Sequence, residues 1–321
     1  MTGGKVLSGR SSVSLYHNKC ANSRIQQWFW NDTRFAYLLL TPVLVLLGAL
    51  TIFPLANALW NSLHVMDFRR PATFGTFVGF RNYQRLFLSS AFWTSLRLTA
   101  IFVLISVSFQ TVFGFIIALI AHQASRGKAI IRAAILLPWA LPTAISAMIW
   151  RWMFNGEFGV MNDLLLRFGF ITERINWLGS VQGALIAVLI AAIWKVSSFM
   201  GLLLLAGLQG ISESLYESAE IDGAGRWTKF WSITFPSVQP ALVVALIFRT
   251  NDAIFVFDLI YVLTGGGPGN STRSLAMLAY EVSFRQLSFG YGATFSIVLF
   301  FISLIISVVY IWLFYLRKGE R

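Results

Sequence analysis

The sequence is poor in the residues that soluble enzymes and metalloproteins use for chemistry. Its 321 residues include one cysteine, three histidines and only 12% charged residues. The single Cys20 excludes an internal disulfide, and the three histidines are spaced too far apart to suggest a metal site. No Cys/His pair or Ser/His/Asp set stands out as a catalytic cluster. The charged fraction is about half of the roughly 25% typical of soluble domains, which argues against a soluble globular protein.

A nucleotide-binding loop is also missing. The segment GKVLSGRS places Gly4 and Gly9 at a P-loop spacing, but Arg10 stands where such a loop needs lysine, and no strand pattern precedes it. We interpret this segment as part of a solvated tail, and we expect no cofactor and no metal in this chain. The energy for its function must then come from a partner or from an ion gradient.

Long apolar segments are what the sequence has instead. Hydrophobic residues make up 57% of the chain, with 29 Phe and 12 Trp. A membrane-spanning helix needs about 20 predominantly apolar residues. Six segments meet this requirement: Phe35–Leu63, Thr94–Ala121, Ile130–Phe154, Val181–Leu208, Val238–Leu263 and Tyr291–Leu316. The predicted fold is therefore all-α, a polytopic membrane bundle of six transmembrane helices. Pro54, Pro138 and Pro142 predict kinks, which a packed bundle tolerates better than lipid does.

Basic residues predict the orientation of these spans. The formal net charge is +12, and Lys and Arg concentrate at the cytoplasmic ends of membrane spans. Residues 1–34, the loop after the second span and residues 317–321 are basic, which predicts two cytoplasmic tails around a membrane domain of residues 35–316. Membrane lipid, and not nucleic acid, is the expected partner of this charge. Four arginines of the first outer loop oppose the trend: Arg69, Arg70, Arg81 and Arg85.

Two of the three predicted outer loops contain short apolar segments. FVGFRNYQRLF lies in the first outer loop and GVMNDLLLRFGF in the second, and both patterns predict short helices. Such a helix either lies on the lipid headgroups or forms a docking surface for a partner. The sequence alone leaves both interpretations open.

A polar segment from Ser212 to Ser237 interrupts the apolar sequence on the predicted cytoplasmic side. It reads SESLYESAEIDGAGRWTKFWSITFPS. Ser212 is a suitable helix cap, and an acidic residue follows it in the first turn. Gly223 permits a sharp turn, and a second short helix is expected to close at Pro236. The prediction is a helix, a tight turn and a second helix that projects from the membrane.

This segment carries a recognisable motif. It resembles the EAA loop of the permeases of binding-protein-dependent ABC importers of type I, which have the MetI-like fold. The matching positions are Glu217, Ser218 and Ala219, then Asp222, Gly223 and Ala224, then Ile233 and Pro236. Ser218 stands where the family has a second alanine. Further strings, among them WSITFPSVQPAL and VLTGGGP, resemble the carbohydrate branch, with the maltose permease MalF and the trehalose and glycerol-phosphate permeases.

The resemblance implies a function and a set of partners. It implies a permease subunit, not an enzyme, that forms half of a translocation path for a sugar or sugar-like solute. It implies a second related permease, two cytoplasmic ATPase subunits that bind ATP and Mg, and an external solute-binding protein. It places the chain as a multi-pass protein in a prokaryotic plasma membrane. Within the loop, it suggests that Glu217 meets a basic group of the ATPase, that Gly223 sets the turn, and that Asp222 orders the loop.

Polar residues inside the predicted spans suggest where the path lies. A charge near the centre of a span costs about 2.5–3.5 kcal/mol on insertion scales, so these side chains need partners or water. They are Lys195 in the fourth span, and Arg249, Asn251, Asp252 and Asp258 in the fifth. A rotation of 100° per residue places Asn251 and Asp258 on one side of a continuous helix. Together with Phe255 on that side, they would offer a sugar hydrogen-bonding groups and an aromatic face. Arg249 and Asp252, on nearly the opposite side, are alternatively a structural ion pair, to which Lys195 would be joined.

Two other functions fit part of the pattern. An ion-coupled secondary transporter would use Lys195, Asp252 and Asp258 as a relay, but it has no need of the cytoplasmic double helix. Within the ABC interpretation, glycerol phosphate is an alternative to a neutral sugar, because Lys195 or Arg249 would suit a phosphate. The EAA-like loop is the feature that separates the two mechanisms.

Overall fold

The computed structural model describes residues 32–123 and 127–314, so nearly all of both predicted tails lies outside the described residues. The contacts divide the chain into residues 1–56 and 57–321, and each unit is described by itself. Apart from two isolated β-bridges, the regular structure of the described ranges is helical. The all-α prediction is confirmed.

The described part of the first unit is one apolar helical segment. It comprises α1, Asp32–Leu47, a π turn, Gly48–Ile52, and the start of α2, Phe53–Ser62. The π turn ends two residues before Pro54, at which the sequence predicted a kink. Proline lacks an N–H and crowds the carbonyl four residues before it, and a π turn relieves both effects without ending the helix.

The second unit contains the remaining helices. They are α3 Arg81–Phe87, α4 Ser90–Gln123, α5 Lys128–Ala140, α6 Thr143–Met153, α7 Val160–Arg167, α8 Val181–Gln209, α9 Glu213–Ile221, α10 Arg226–Lys229, α11 Phe235–Ile254, α12 Asp258–Leu263, α13 Leu275–Tyr280 and α14 Phe289–Phe314. Two further π turns, Phe230–Thr234 and Glu281–Arg285, follow α10 and α13. The short helices α3 and α7 lie at the two outer-loop segments for which the sequence predicted them.

Five helical segments of the described residues are long and apolar enough to cross a membrane. They are Ala36–Ser62, Ser90–Gln123, Val181–Gln209, Arg226–Ile254 and Phe289–Phe314. A sixth span results if α5 and α6 cross as one bent pair, with an angle of 87° between them. The predicted number of six spans is met if this bent pair is counted as one span.

Two of the predicted spans are broken. The third breaks at Leu141 and Pro142, whereas Pro138 lies inside α5 without interrupting it. The predicted fifth span, Val238–Leu263, is wrong as one helix, because α11 ends at Ile254 and α12 begins at Asp258. Irregular backbone at membrane depth is tolerated only where protein buries it or where it lines a cavity.

The second and fourth spans pack closely at two glycines. A Cβ added at Gly114 of α4 would lie 2.6 Å from the Cγ of Met200, and one at Gly201 of α8 would lie 2.7 Å from the Cγ2 of Ile117. Small residues at a helix crossing let two backbones approach, which is a common way to associate helices in lipid. Gln110 adds a hydrogen bond across this pair, from its Nε2 to the carbonyl of Ala192 at 3.1 Å.

Candidate functional site

The two helix breaks line one cavity of about 530 Å³. Its wall includes the end of α5, the middle of α8 and the residues on either side of the α11–α12 break. Five of the six side chains predicted to lie along a path are in this wall, and they include both carboxylates and both cations. The principal lining residues are Trp139, Leu141, Pro142, Lys195, Arg249, Asp252, Phe255, Phe257 and Asp258.

Lys195 stabilises the first break. Its Nζ donates a hydrogen bond to the carbonyl of Trp139 at 3.3 Å and another to the carbonyl of Leu141. These carbonyls lie at the C-terminal end of α5, where the helix has no further N–H groups to offer them and where its dipole favours a cation. The suggestion that Lys195 joins the Arg249–Asp252 pair is therefore wrong, because its ammonium group serves the end of a broken helix.

Ser274 stabilises the second break from the third of the predicted outer loops. Its Oγ donates to the carbonyl of Val256 at 2.7 Å and accepts the N–H of Met277 at 3.1 Å, which caps α13. The N–H of Leu275 donates to the Oγ1 of Thr99 on α4 at 2.9 Å. This part of the outer loop is consequently buried against the bundle and fixes the course of the chain beside the cavity.

Arg249 and Asp252 form the predicted ion pair. The Nη1 of Arg249 donates to the Oδ2 of Asp252 at 2.7 Å, and its Nε donates to the Oε1 of Gln110 at 2.9 Å. The two partners differ in environment, since the Arg249 side chain is 5% exposed and that of Asp252 is 77% exposed. The guanidinium group thus ties α11 to α4 inside the protein, while the carboxylate reaches into the cavity.

Asn251 does not share a face with Asp258, because the helix on which that prediction depended ends between them. The Nδ2 of Asn251 donates to the Oγ of Ser307 at 3.0 Å, and its Oδ1 accepts from the Oγ of Ser303. Both serines belong to α14. Asn251 therefore connects the fifth span to the last one. Of the three residues predicted to form one face, Phe255 and Asp258 line the cavity.

The cavity has the chemistry of a site for a polar, uncharged ligand. Its two cations face two carboxylates, and each cation already has partners in the protein. Asp258 takes part in no ion pair of the described residues and is free to accept hydrogen bonds. The rings of Trp139, Phe255 and Phe257 supply apolar faces. Among the described residues, no group of three or more His, Cys, Asp or Glu side chains is placed to hold a metal ion.

Sequence reasoning missed most of the other lining residues, among them the aromatic residues Trp139 and Phe257. Trp139 could have been noticed, since it lies between Pro138 and Pro142, where a break was expected. Phe257 carries no local signal. It became part of the wall only because the chain leaves the helix at Phe255, and neither proline nor glycine marks that position.

The polar segment forms the predicted helix and turn on the other side of the bundle. Helix α9 follows Ser212, whose Oγ hydrogen-bonds with that of Ser214 at 2.7 Å instead of capping a backbone N–H. Gly223 has a φ of +74°, a conformation that L side chains rarely adopt, and the N–H of Ala224 returns to the carbonyl of Ala219 at 2.8 Å. The turn therefore depends on glycine at position 223.

The second helix of the segment does not close at Pro236. It continues through the π turn into α11, so that Arg226–Ile254 is one helical segment. Pro236 lies in the first turn of α11, where a missing N–H is tolerated, and the preceding π turn makes room for its ring. The loop is thus directly continuous with the fifth span.

A hydrogen bond and an ion pair connect the loop to that span. The hydroxyl of Tyr216 on α9 hydrogen-bonds with the Oγ1 of Thr234 at 2.9 Å, and Lys229 pairs with Glu220. The hydrogen bond from Lys229 lowers the pKa of Glu220, which keeps this pair charged. Five of the motif residues remain exposed, and Ala219, Ala224 and Ile233 are half-buried. The exposed ones are Glu217, Ser218, Asp222, Gly223 and Pro236.

Known proteins resemble this chain over most of its length. The permease MalF of the trehalose/maltose transport system of Thermococcus litoralis is 42% identical over 285 residues, which cover 88% of this chain and 94% of that protein. The sulfoquinovosyl glycerol permease SmoG of Agrobacterium fabrum is 40% identical over 282 residues, with coverages of 87% and 90%. A crystal structure of a bacterial ABC transporter that imports alginate has a chain with a TM-score of 0.74 and 22% identity, with coverages of 89% and 96%, so the fold is shared.

The family assignment follows from a second comparison. Residues 110–321 match the family described as the inner membrane component of binding-protein-dependent transport systems. The match includes the polar segment and most of the residues that line the cavity. This chain belongs to that family of multi-pass permease components of ABC importers.

Proposed function

We propose that this chain forms half of the translocation path for a sugar or sugar-like solute, in an importer driven by two cytoplasmic ATPase subunits. A second, related permease would supply the other half, and an external binding protein would deliver the solute. The observation that carries the proposal is the continuity of Arg226–Ile254, which starts in the exposed loop and ends at the cavity. A movement imposed on the loop is then transmitted to Asp252 by one helix.

The relatives support the class of solute. Their names state transport of trehalose or maltose and of sulfoquinovosyl glycerol, and both match at 40% identity or more over most of the chain. A structural neighbour is described in complex with a periplasmic protein that holds an alginate pentasaccharide, which supports an external binding protein as a partner. Sugars are common to all of these.

The cavity favours a sugar over glycerol phosphate. A phosphate needs a cation that is free of protein partners. Lys195 already donates hydrogen bonds to two helix carbonyls, and Arg249 already donates to Asp252 and Gln110. The uncommitted charged group is a carboxylate, Asp258, which suits sugar hydroxyls and repels a phosphate. A volume of about 530 Å³ in one subunit accommodates a disaccharide-sized ligand, particularly when a second subunit completes the wall.

Replacing Asp258 tests the solute site. We expect Asp258→Asn to raise the KM for uptake of a transported sugar about tenfold, because a hydrogen bond to a charged acceptor is stronger by about 1–1.5 kcal/mol than one to a neutral acceptor. Uptake would be measured in proteoliposomes that contain the partner subunits, with trehalose, maltose and glycerol phosphate as competitors.

The control variant is Asp163→Asn in the second outer loop, where the carboxylate pairs with Arg174 away from the cavity. Its KM should equal that of the wild type. An unchanged KM for Asp258→Asn would remove Asp258 from the path, and competition by glycerol phosphate that exceeds that by the sugars would overturn the solute class.

A further inference from the structure

A second cavity, of about 890 Å³, lies between the first outer loop and the start of α14. The connectivity of the helices places it on the side of the bundle opposite to α9. Its wall combines residues of 64–91 with residues of 278–295. None of these lines the cavity at the helix breaks, so the two cavities are separate features of the molecule.

This outer cavity has a strong excess of positive charge. Arg70, Arg81 and Arg85 line it and are exposed. The one carboxylate of its wall, Asp67, accepts the N–H and the side-chain Nε of Arg69 at 3.0 and 3.2 Å. These bonds lower the pKa of Asp67 and commit its charge to Arg69. Arg70 also lies within the electrostatic reach of Asp67, so Arg81 and Arg85 are the lining arginines left without a carboxylate from the wall.

The surroundings of these arginines are ordered. The guanidinium of Arg85 lies over the ring of Tyr291, 4.3 Å from its centroid, and this contact holds the charge against the start of α14. Asn82 fixes the loop, since its Nδ2 donates to the carbonyls of Ser62 and His64 at 2.8 and 3.2 Å. A group that is held in place before binding loses less entropy when its partner arrives.

The charge points to an anionic partner outside the membrane. Basic residues are disfavoured in outer loops relative to cytoplasmic ones, so arginines gathered there oppose the general trend. The solute path does not explain them, because the cavity at the helix breaks has as many carboxylates as cations. The volume of the outer cavity exceeds what a single phosphate group fills.

We infer that this cavity receives acidic side chains of the external solute-binding protein. The inference rests on the proposed function, which supplies such a partner on this side of the membrane. Charge complementarity of this kind speeds association and fixes orientation, and salt weakens it. Arg81 and Arg85 lie four residues apart, at the beginning and the last turn of α3, and would contact neighbouring carboxylates of one loop.

The test is the affinity of the sugar-loaded binding protein for the complete importer in proteoliposomes. We expect the double variant Arg81→Glu/Arg85→Glu to weaken this affinity at least about tenfold at 50 mM salt and to flatten its dependence on salt. The control is Arg167→Glu, a charge reversal at an exposed arginine of the second outer loop, which should keep wild-type affinity. Co-purification of all subunits checks that the variants assemble.

Three results would overturn the inference. The first is an affinity and a salt dependence of the double variant that equal those of the wild type. The second is an unchanged affinity with loss of a co-purified anionic phospholipid, which would make the cavity a headgroup site. The third is an unchanged affinity with a raised KM for the solute, which would make it part of the path. A wild-type importer that does not bind the binding protein even at 50 mM salt contradicts the proposed function itself.

Discussion

Glu217→Lys is expected to abolish ATP-dependent uptake while the membrane subunits remain assembled. Glu217 is exposed on α9, the helix that the hydroxyl of Tyr216 and the Glu220–Lys229 pair connect to the fifth span. A lysine there would face the basic group proposed on the ATPase, and like charges across an interface cost several kcal/mol. The helix itself should persist, because Lys and Glu have similar helix propensities.

The measurement combines uptake in proteoliposomes with co-purification of the ATPase. The control is Glu157→Lys, the same charge reversal at an exposed residue of the second outer loop, and it should transport normally. Uptake by Glu217→Lys at the wild-type rate would show that this carboxylate does not couple the ATPase to the permease. Loss of both permease subunits from the membrane would indicate misfolding instead, and Glu217→Gln would then separate charge from fold.

Asp252→Ala is expected to destabilise the membrane domain more than its exposure suggests. The carboxylate is exposed to the cavity, but its removal leaves the buried guanidinium of Arg249 with Gln110 as its remaining side-chain partner. An incompletely paired buried charge costs about 1–3 kcal/mol or more. Asp252→Asn, which keeps an acceptor oxygen, should lose less.

Stability is best measured as the fraction of the purified complex that survives heating. The double variant Arg249→Met/Asp252→Ala should recover much of the loss of Asp252→Ala, because the guanidinium that Asp252→Ala leaves incompletely paired is then removed as well. Equal stability of Asp252→Ala and the wild type would contradict the pairing. Transport by the double variant would show that the pair is structural and does not contact the solute.

The sequence predicts the structure of the polar segment well because its determinants are local. The spacing from Glu217 to Pro236 is a motif, and the turn needs only Gly223 in a left-handed conformation. The ion pair of Arg249 and Asp252 is local as well, since residues three apart on a helix are neighbours. The close of the second helix was misjudged for one reason. Pro236 was interpreted as the end of the helix, although a proline is tolerated in the first turn of a helix that follows a π turn.

The cavity at the helix breaks was harder to predict because these breaks depend on distant residues. The sequence FVF at the α11–α12 break has no helix breaker, so extending a regular helix through it placed Asn251 beside Asp258. The carbonyl left free at Val256 is satisfied by Ser274, eighteen residues later. Similarly, the end of α5 is stabilised by Lys195 of α8. Of the two breaks, only the one at Pro142 is marked by a helix-breaking residue in the local sequence.

The break and the loop together suggest how the importer works. The helical segment Arg226–Ile254 connects an exposed loop to a cavity whose wall includes the ends of α5 and α11. Helix ends held by single side chains can rearrange with few bonds broken, whereas a continuous helix cannot. Rigid-body movements of this kind are a common way to convert nucleotide binding into a change of access.

Uptake of a sugar into proteoliposomes that contain all proposed subunits tests the central claim most directly. The vesicles would carry the sugar-loaded binding protein on the side of the outer cavity and ATP with Mg on the side of α9, with no proton or sodium gradient. We expect uptake that requires ATP and persists when ionophores dissipate any gradient. Uptake that proceeds without ATP and follows an ion gradient would contradict the account, and it would make Lys195, Asp252 and Asp258 the candidates for the relay of an ion-coupled carrier.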